Sequence, residues 1–247
     1  MTSWTPGRYD AHTLRVFPIS RGACLLRAAD AVASAISRRS RQRKLDLFIR
    51  EVQPSDGSLV LDVGVEDGAP GHGAVFPTAN FIERGWPSGR LTAVGLHEGI
   101  RFRNAFPDVD YVQSDGRAMP FGDQIFDAVL CNAVIEHVGD AAHQRALVAE
   151  CCRVGKQVIL TTPNRLFPVE QHTYLPLVHW LPERVYRPVL GRYAAARVGD
   201  VRLLTAKQLV AMFPPDRHVR VLSRSLSIVV IADPPPAVTS PVAEAIS

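Results

Sequence analysis

LVLDVGVEDG, running from Leu59 to Gly68, is the stretch whose reading decides the fold of this chain. Its first half is a short apolar run broken only by Asp62, and its second half carries glycines at 64 and 68. A brief apolar run bounded by turn residues reads as a strand covered on both faces. Glycines after it let the main chain turn sharply and let another group come close to the backbone. An acidic residue at the carboxyl end of such a strand stands where open α/β sheets bind their ligands.

Working outward, strand-like and helix-like segments alternate. Leu59–Val63, Leu91–Leu96, Tyr111–Gln113, Ala128–Asn132 and Gln157–Thr161 read as strands, and Thr78–Arg84, His97–Asn104 and His143–Val154 as helices. This alternation predicts βαβ units and a mostly parallel sheet. Thr205 opens a further helix, with Ala206, Leu209, Val210 and Phe213 on one face and Pro214 as its stop. Val219–Arg224 and Leu226–Ile231 read as a closing hairpin of strands.

The flanks differ from this core. Residues 1–20 lack periodicity, whereas Leu25, Leu26, Ala29, Val32, Ala33 and Ile36 recur at helical spacing before Pro54 and Gly57 end the element. Residues 1–52 therefore read as an arm and a basic helix, 53–232 as the main domain, and 233–247 as a proline-rich disordered tail. Within the main domain, residues 163–200 are punctuated by prolines and rich in Leu, Tyr and Trp. Such a segment cannot be one regular helix. It reads as a lid over a pocket or a surface that meets an apolar partner.

Composition bounds the rest. At 247 residues, with 47% hydrophobic and 21% charged residues, the chain has the make-up of a soluble globular protein able to bury a core. No apolar run approaches the roughly 20 residues that span a bilayer, and MTSWTPGRYDAH lacks the pattern of a secretory signal. Cys24, Cys131, Cys151 and Cys152 have neither disulfide-framework nor zinc spacing, so reduced thiols are expected. The net charge is +4, concentrated at Arg38, Arg39, Arg41, Arg43 and Lys44. That cluster reads either as a solvated helix face or as a contact for an anionic membrane or nucleic acid. No aromatic residues interleave with it, so nucleic acid is not the expected partner.

Four segments, in order, resemble the class I S-adenosylmethionine (SAM)-dependent methyltransferases, in particular the type 11-like members: LVLDVGVEDG; SDGRAMPF at Ser114–Phe121; FDAVLCNAVIEHV at Phe126–Val138; and VILTTPN at Val158–Asn164. The resemblance spans about residues 45–162. It implies an α/β, Rossmann-like doubly wound fold: a mostly parallel seven-stranded sheet with an antiparallel last strand, an N-terminal helical extension and an insertion after strand five. It also implies SAM as cofactor. Gly64 and Gly68 would lie against its methionine end, with Asp62 ordering the loop or reaching the amino group through water. Asp115, followed by Gly116, would accept from the adenine amino group, and Asn132 would face the methionine end and the reacting methyl. Each has a plainer alternative as a turn or loop residue.

Two positions depart from the family pattern. Glu66 replaces the middle glycine of the first turn, and His97 stands where an acidic residue usually holds the ribose hydroxyls. Glu98, one residue on, is preferred for that contact. Methyl transfer to a neutral hydroxyl benefits from a base. His172 in the insertion is the first candidate and His137 the second; His179 is a third. No metal site is expected. The reading is a cytoplasmic enzyme, peripheral to the inner face of an anionic membrane, that methylates an oxygen of a small or lipid-like acceptor. The alternative is a catalytically impaired SAM-fold interaction protein, motivated by Glu66 and His97. A nicotinamide oxidoreductase is disfavoured because the first turn lacks G-x-G-x-x-G. An RNA methyltransferase is disfavoured because no RNA-binding module is recognisable.

Overall fold

The computed structural model describes residues 39–40, 42–55, 57–65, 86–170, 176–182, 184–186, 188 and 201–234. One compact unit, Arg43–Ser247, carries the sheet. The other, Met1–Gln42, is described at residues 39, 40 and 42, which are helical. The Thr78–Arg84 helix expected from sequence lies outside the described residues, as do the arm and the tail.

Seven strands form one sheet: β1 (Val60–Val63), β2 (Leu91–Gly95), β3 (Asp110–Gln113), β4 (Phe126–Asn132), β5 (Gly155–Pro163), β6 (His218–Arg224) and β7 (Ser227–Asp233). Their spatial order is β3-β2-β1-β4-β5-β7-β6. β1 to β5 run parallel, and β7 lies antiparallel to both β5 and β6. The α/β, mostly parallel, Rossmann-like sheet with antiparallel closing strands is thus the observed architecture.

The strands are where the apolar runs predicted them, with ends shifted by a residue or two. β1 is buried at every position because both faces are covered. Its side chains alternate: Leu61 and Val63 enter one core cluster, Val60 the other. The first cluster seats α3 (Ala141–Val154) through Leu147, Val148 and Cys151. The second seats the helix over residues 43–52, here α1, through Leu45 and Phe48, and α2 (Ile100–Ala105) through Phe102. α2 begins three residues later than predicted because Gly99, at φ +68°, holds a left-handed turn before it. Asp140 caps α3 by accepting from Ala142 N and His143 N at 2.9 and 3.0 Å. The last helix, α4 (Ala206–Val210), starts at a capping box of Thr205 and Gln208. It stops before Phe213, short of the predicted end. Among the described residues no helix is long and apolar enough to cross a membrane.

The strand order fixes where a ligand can sit. The chain moves outward from β1 through β2 to β3, then returns to place β4 on the other side of β1. The connections leave in opposite directions from β1 and β4, which opens a crevice at their carboxyl ends. Parallel register (Asp62 beside Ala93 and Leu130) brings the strand ends to one edge.

Candidate functional site

The carboxyl edge collects most of the predicted residues. Asp62 is buried near the end of β1, and Gly64 follows at φ +90°. Gly64 N and Val65 N both donate to Val94 O, at 2.8 and 2.9 Å, which draws the first turn over β2. A Cβ on Gly64 would fall inside the Val134 side chain. A Cβ on Gly95, at the end of β2, would strike Tyr111 Oη and Val65 O. Sequence reading misses Gly95, whose only signal is a glycine ending an apolar run. Gly64 lets the turn after β1 pack on the Val134 side chain, and Gly95 lets the end of β2 approach the Val65 carbonyl. Gly68, Glu66 and the rest of the first loop lie outside the described residues.

At the next strand end both His97 and Glu98 are exposed. Tyr111 Oη donates to His97 O at 2.8 Å, and Arg103 Nε donates to Glu98 O at 3.2 Å. These bonds fix the backbone of the turn and engage neither residue's side chain.

Asp115 follows β3, and its carboxylate is held by Arg117. Arg117 Nε donates to both oxygens at 2.9 Å, Arg117 N donates to Oδ1 at 3.0 Å, and Arg117 Nη2 pairs with Oδ2. The bond from the guanidinium holds the carboxyl below the usual carboxylate range despite the opposing effect of burial. The stabilisation from this pair is therefore complete above the ordinary aspartate pKa and is lost as the pH falls through the lowered one. Gly116 has a packing role: a Cβ there would press on Leu147 of α3 and Val63 of β1.

The whole SDGRAMPF segment is clamped to α3. Glu150 accepts from Met119 N at 2.6 Å. Arg153 donates to Glu150 at 2.7 and 2.8 Å, to Asp123 at 2.6 Å, and to the carbonyls of Phe121 and Met119 at 2.8 and 3.2 Å. Glu150 is held below its usual range, chiefly by the Arg153 bond. Arg153→Ala is expected to cost about 1–2 kcal/mol, the modest end of the range for charge-assisted bonds because the side chain is one-third exposed. Amide exchange faster than wild type at residues 115–121, with α3 still protected, is the accompanying signature.

At the end of β4, Asn132 Oδ1 accepts from Thr161 Oγ1 at 2.7 Å and from Lys44 Nζ at 3.3 Å. α1 thus reaches the strand edge through a lysine that sequence reading placed only in a basic cluster. The residue most clearly missed is Glu136, beside the predicted His137 in a 3-10 turn, Ile135–His137. Its side chain is fully buried. Oε2 accepts from Thr162 Oγ1 at 3.0 Å; Oε1 has no hydrogen-bond donor and lies 4.0 Å from His137 Nε2. The turn is pinned by Arg202 N, which donates to Glu136 O at 2.8 Å, and by the Gln144 amide, which donates to Ile135 O at 3.0 Å and Arg202 O at 3.2 Å. His137 itself is exposed. His172 lies outside the described residues. His179 is buried, with Nε2 at 2.8 Å from Phe167 O. That places it in the core of the insertion.

Cys131, Cys151 and Cys152 are free and buried; burial pushes the Cys152 thiol up to about 12. Their burial makes these three side chains part of the apolar core. Among the described residues no group of His, Cys, Asp or Glu is arranged to hold a metal.

Residues 68–158 match a family model described as a methyltransferase domain. The fold is similar to that of the PH0226 protein from Pyrococcus horikoshii OT3, with a TM-score of 0.53, 14% identity, and 80% of this chain and 91% of that one covered. It is similar to a chain from the complex of the Haloferax volcanii Trm112 methyltransferase activator, with a TM-score of 0.52, 12% identity, and 85% and 96% covered. The (4+2)-cyclase SpnF is a third, with a TM-score of 0.51, 13% identity, and 79% and 81% covered. No curated protein matches the sequence. At such identities the likeness is one of fold.

Proposed function

We propose that this chain, whose residues 68–158 match a methyltransferase-domain model, is a class I SAM-dependent methyltransferase with SAM as its cofactor, and that it methylates an oxygen of a small or amphipathic, lipid-like acceptor. The observation that carries the reading is the cradle of Gly64 and Gly95. A Cβ on Gly64 would strike the Val134 side chain and one on Gly95 would strike Tyr111 Oη and Val65 O, so both glycines keep the main chain of the turn close and bare at the carboxyl edge. A methionine tail needs main-chain contact of that kind. In this reading Asp62, Gly64, Gly68 and Asn132 hold the methionine end. Glu98 takes the ribose hydroxyls, and Asp115 accepts from the adenine amino group. Arg117 already makes four donations to the Asp115 carboxylate, so in this reading the adenine amino group displaces one of them. Gly116 contributes by letting the Asp115 turn lie flat on β1 and α3.

Bound SAM supplies a sulfonium leaving group, so the difficult chemistry belongs to the cofactor. The protein's share is alignment and exclusion of water. His172, or His137 at the exposed side of the β4 edge, receives the acceptor's hydroxyl proton on a ring nitrogen. The insertion closes over the acceptor, and its apolar side chains favour a lipid-like one. The basic cluster Arg38–Lys44 adds a peripheral contact with an anionic membrane surface. The protein then works in the cytoplasm at the inner face of that membrane.

Titration calorimetry with SAM and S-adenosylhomocysteine tests the cofactor site. Saturable binding of both is expected. Well-folded protein that binds neither would sink the enzymatic reading and leave the impaired interaction protein suggested by Glu66 and His97. With binding in hand, methyl transfer from labelled SAM into lipid and glycolipid extracts tests the acceptor. Unchanged turnover in His137→Ala or His172→Ala removes that histidine as the base.

A further inference from the structure

Exposed apolar bulk is concentrated on the insertion. Of the eight large hydrophobic residues exposed among the described residues, five lie there: Leu166, Leu177, Trp180, Leu181 and Val185. Single exposed apolar residues are ordinary, but a contiguous group marks a contact surface. They are neighbours in space as well as in sequence. Trp180 Nε1 donates to Arg165 O at 2.9 Å, next to Leu166, and Leu177 N donates to Pro168 O at 2.7 Å. The 3-10 turn Val178–Trp180 turns Val178 and His179 inward, and Leu177, Trp180 and Leu181 are left outside.

The segment around this group carries an excess of positive charge. By sequence, residues 164–213 carry Arg165, Arg184, Arg187, Arg192, Arg197, Arg202 and Lys207 against Glu170, Glu183 and Asp200, and Glu170 is fully buried. Lys207 and Arg224 also border a cleft of about 440 Å³ whose other wall includes Leu166, Phe167 and Pro168. Apolar side chains with an interfacial tryptophan, in a segment with an excess of cations, match the acyl boundary and anionic headgroups of a bilayer.

We infer that the outer face of the insertion, centred on Leu166, Trp180 and Leu181, docks on an anionic bilayer, with Lys207 and Arg224 meeting lipid phosphates. This rests on the proposed membrane contact and deepens it by giving it an apolar anchor on the insertion, apart from the basic N-terminal segment. It does not require methyl transfer to occur.

The test is flotation of the full chain with vesicles of phosphatidylcholine alone and of phosphatidylcholine mixed with phosphatidylglycerol, without cofactor. The wild type is expected to float with the mixed vesicles only, and less so as salt rises. Lys207→Ala/Arg224→Ala should weaken partition about 25-fold, roughly fivefold for each cation lost. Trp180→Ser/Leu181→Ser, with an unchanged circular dichroism spectrum, should abolish it even at low salt. As a second readout, tryptophan emission should shift to the blue on the mixed vesicles in the wild type but not in Trp180→Phe. No flotation, or equal flotation of all variants, overturns the inference; the latter result would return the contact to Arg38–Lys44. Binding of monomeric lysophosphatidylglycerol without vesicle binding also overturns it, in favour of a soluble amphiphile. So does self-association in sedimentation that the same substitutions remove, in favour of a second copy. Because no cofactor is present, these outcomes are independent of the calorimetric test of the SAM site.

Discussion

Gly64→Ala is expected to abolish SAM binding and to destabilise the fold by about 2–5 kcal/mol. Two separate costs add. The residue sits at φ +90°, where a Cβ is strained by about 1–2 kcal/mol. The new methyl also falls on Val134, and overpacking of that kind costs about 1–3 kcal/mol. Urea denaturation measures the sum, and calorimetry measures the lost affinity. The double variant Gly64→Ala/Val134→Ala separates the two costs. Removing the Val134 methyls should recover the packing part and leave the backbone strain, so the double variant should be more stable than Gly64→Ala yet still weak in binding. Equal stability of Gly64→Ala and wild type would show that the turn is not held as described.

Glu136→Gln is expected to raise stability by about 1–3 kcal/mol while lowering turnover. Glu136 is a fully buried carboxylate that receives one hydrogen bond, from Thr162, and has one oxygen without a donor. Enclosing such a group costs more than enclosing a neutral amide of the same shape. The glutamine amide keeps an oxygen for Thr162 and removes the charge. A residue that costs stability where it stands, next to the His137 ring at the carboxyl edge, has the pattern of a group kept for function. Thermal denaturation gives the first quantity and the labelled-methyl assay the second. A drop in stability in Glu136→Gln would mean that the carboxylate is a structural staple instead.

Much of this was legible in the sequence. The run LVLDVG gave a buried parallel strand with a ligand edge because apolar continuity and glycine placement are local properties with few solutions. The same held for β2, β4 and β5, whose apolar runs bounded by Gly, Asp or Asn were each found within a residue or two. The closing hairpin was equally clear, since Val219–Arg224 and Leu226–Ile231 leave no room for a crossover between them. Strand ends were less clear, because hydrogen bonding to a neighbour, rather than side-chain type, decides where a strand stops. β5 extends to Pro163 because β7 pairs along it as far as Ser227.

The site divides along the same line. The family resemblance marked Asp62, Gly64, Asp115 and Asn132 as candidates, and the position after the fourth strand marked His137. What those side chains touch was not legible. Arg117 takes Asp115, Lys44 crosses from α1 to Asn132, and the room at Gly95 is set by Tyr111, sixteen positions on. Glu136 carried no signal of its own in the sequence, and folding placed it against Thr162, twenty-six positions away. The sequence by itself determined the order of elements and the edge on which chemistry can occur, since both follow from short-range pattern. Only the tertiary structure decided which side chains are already engaged, which glycine is a true close approach and which carboxylate is buried without a full set of donors. Those depend on contacts between residues that the chain holds far apart.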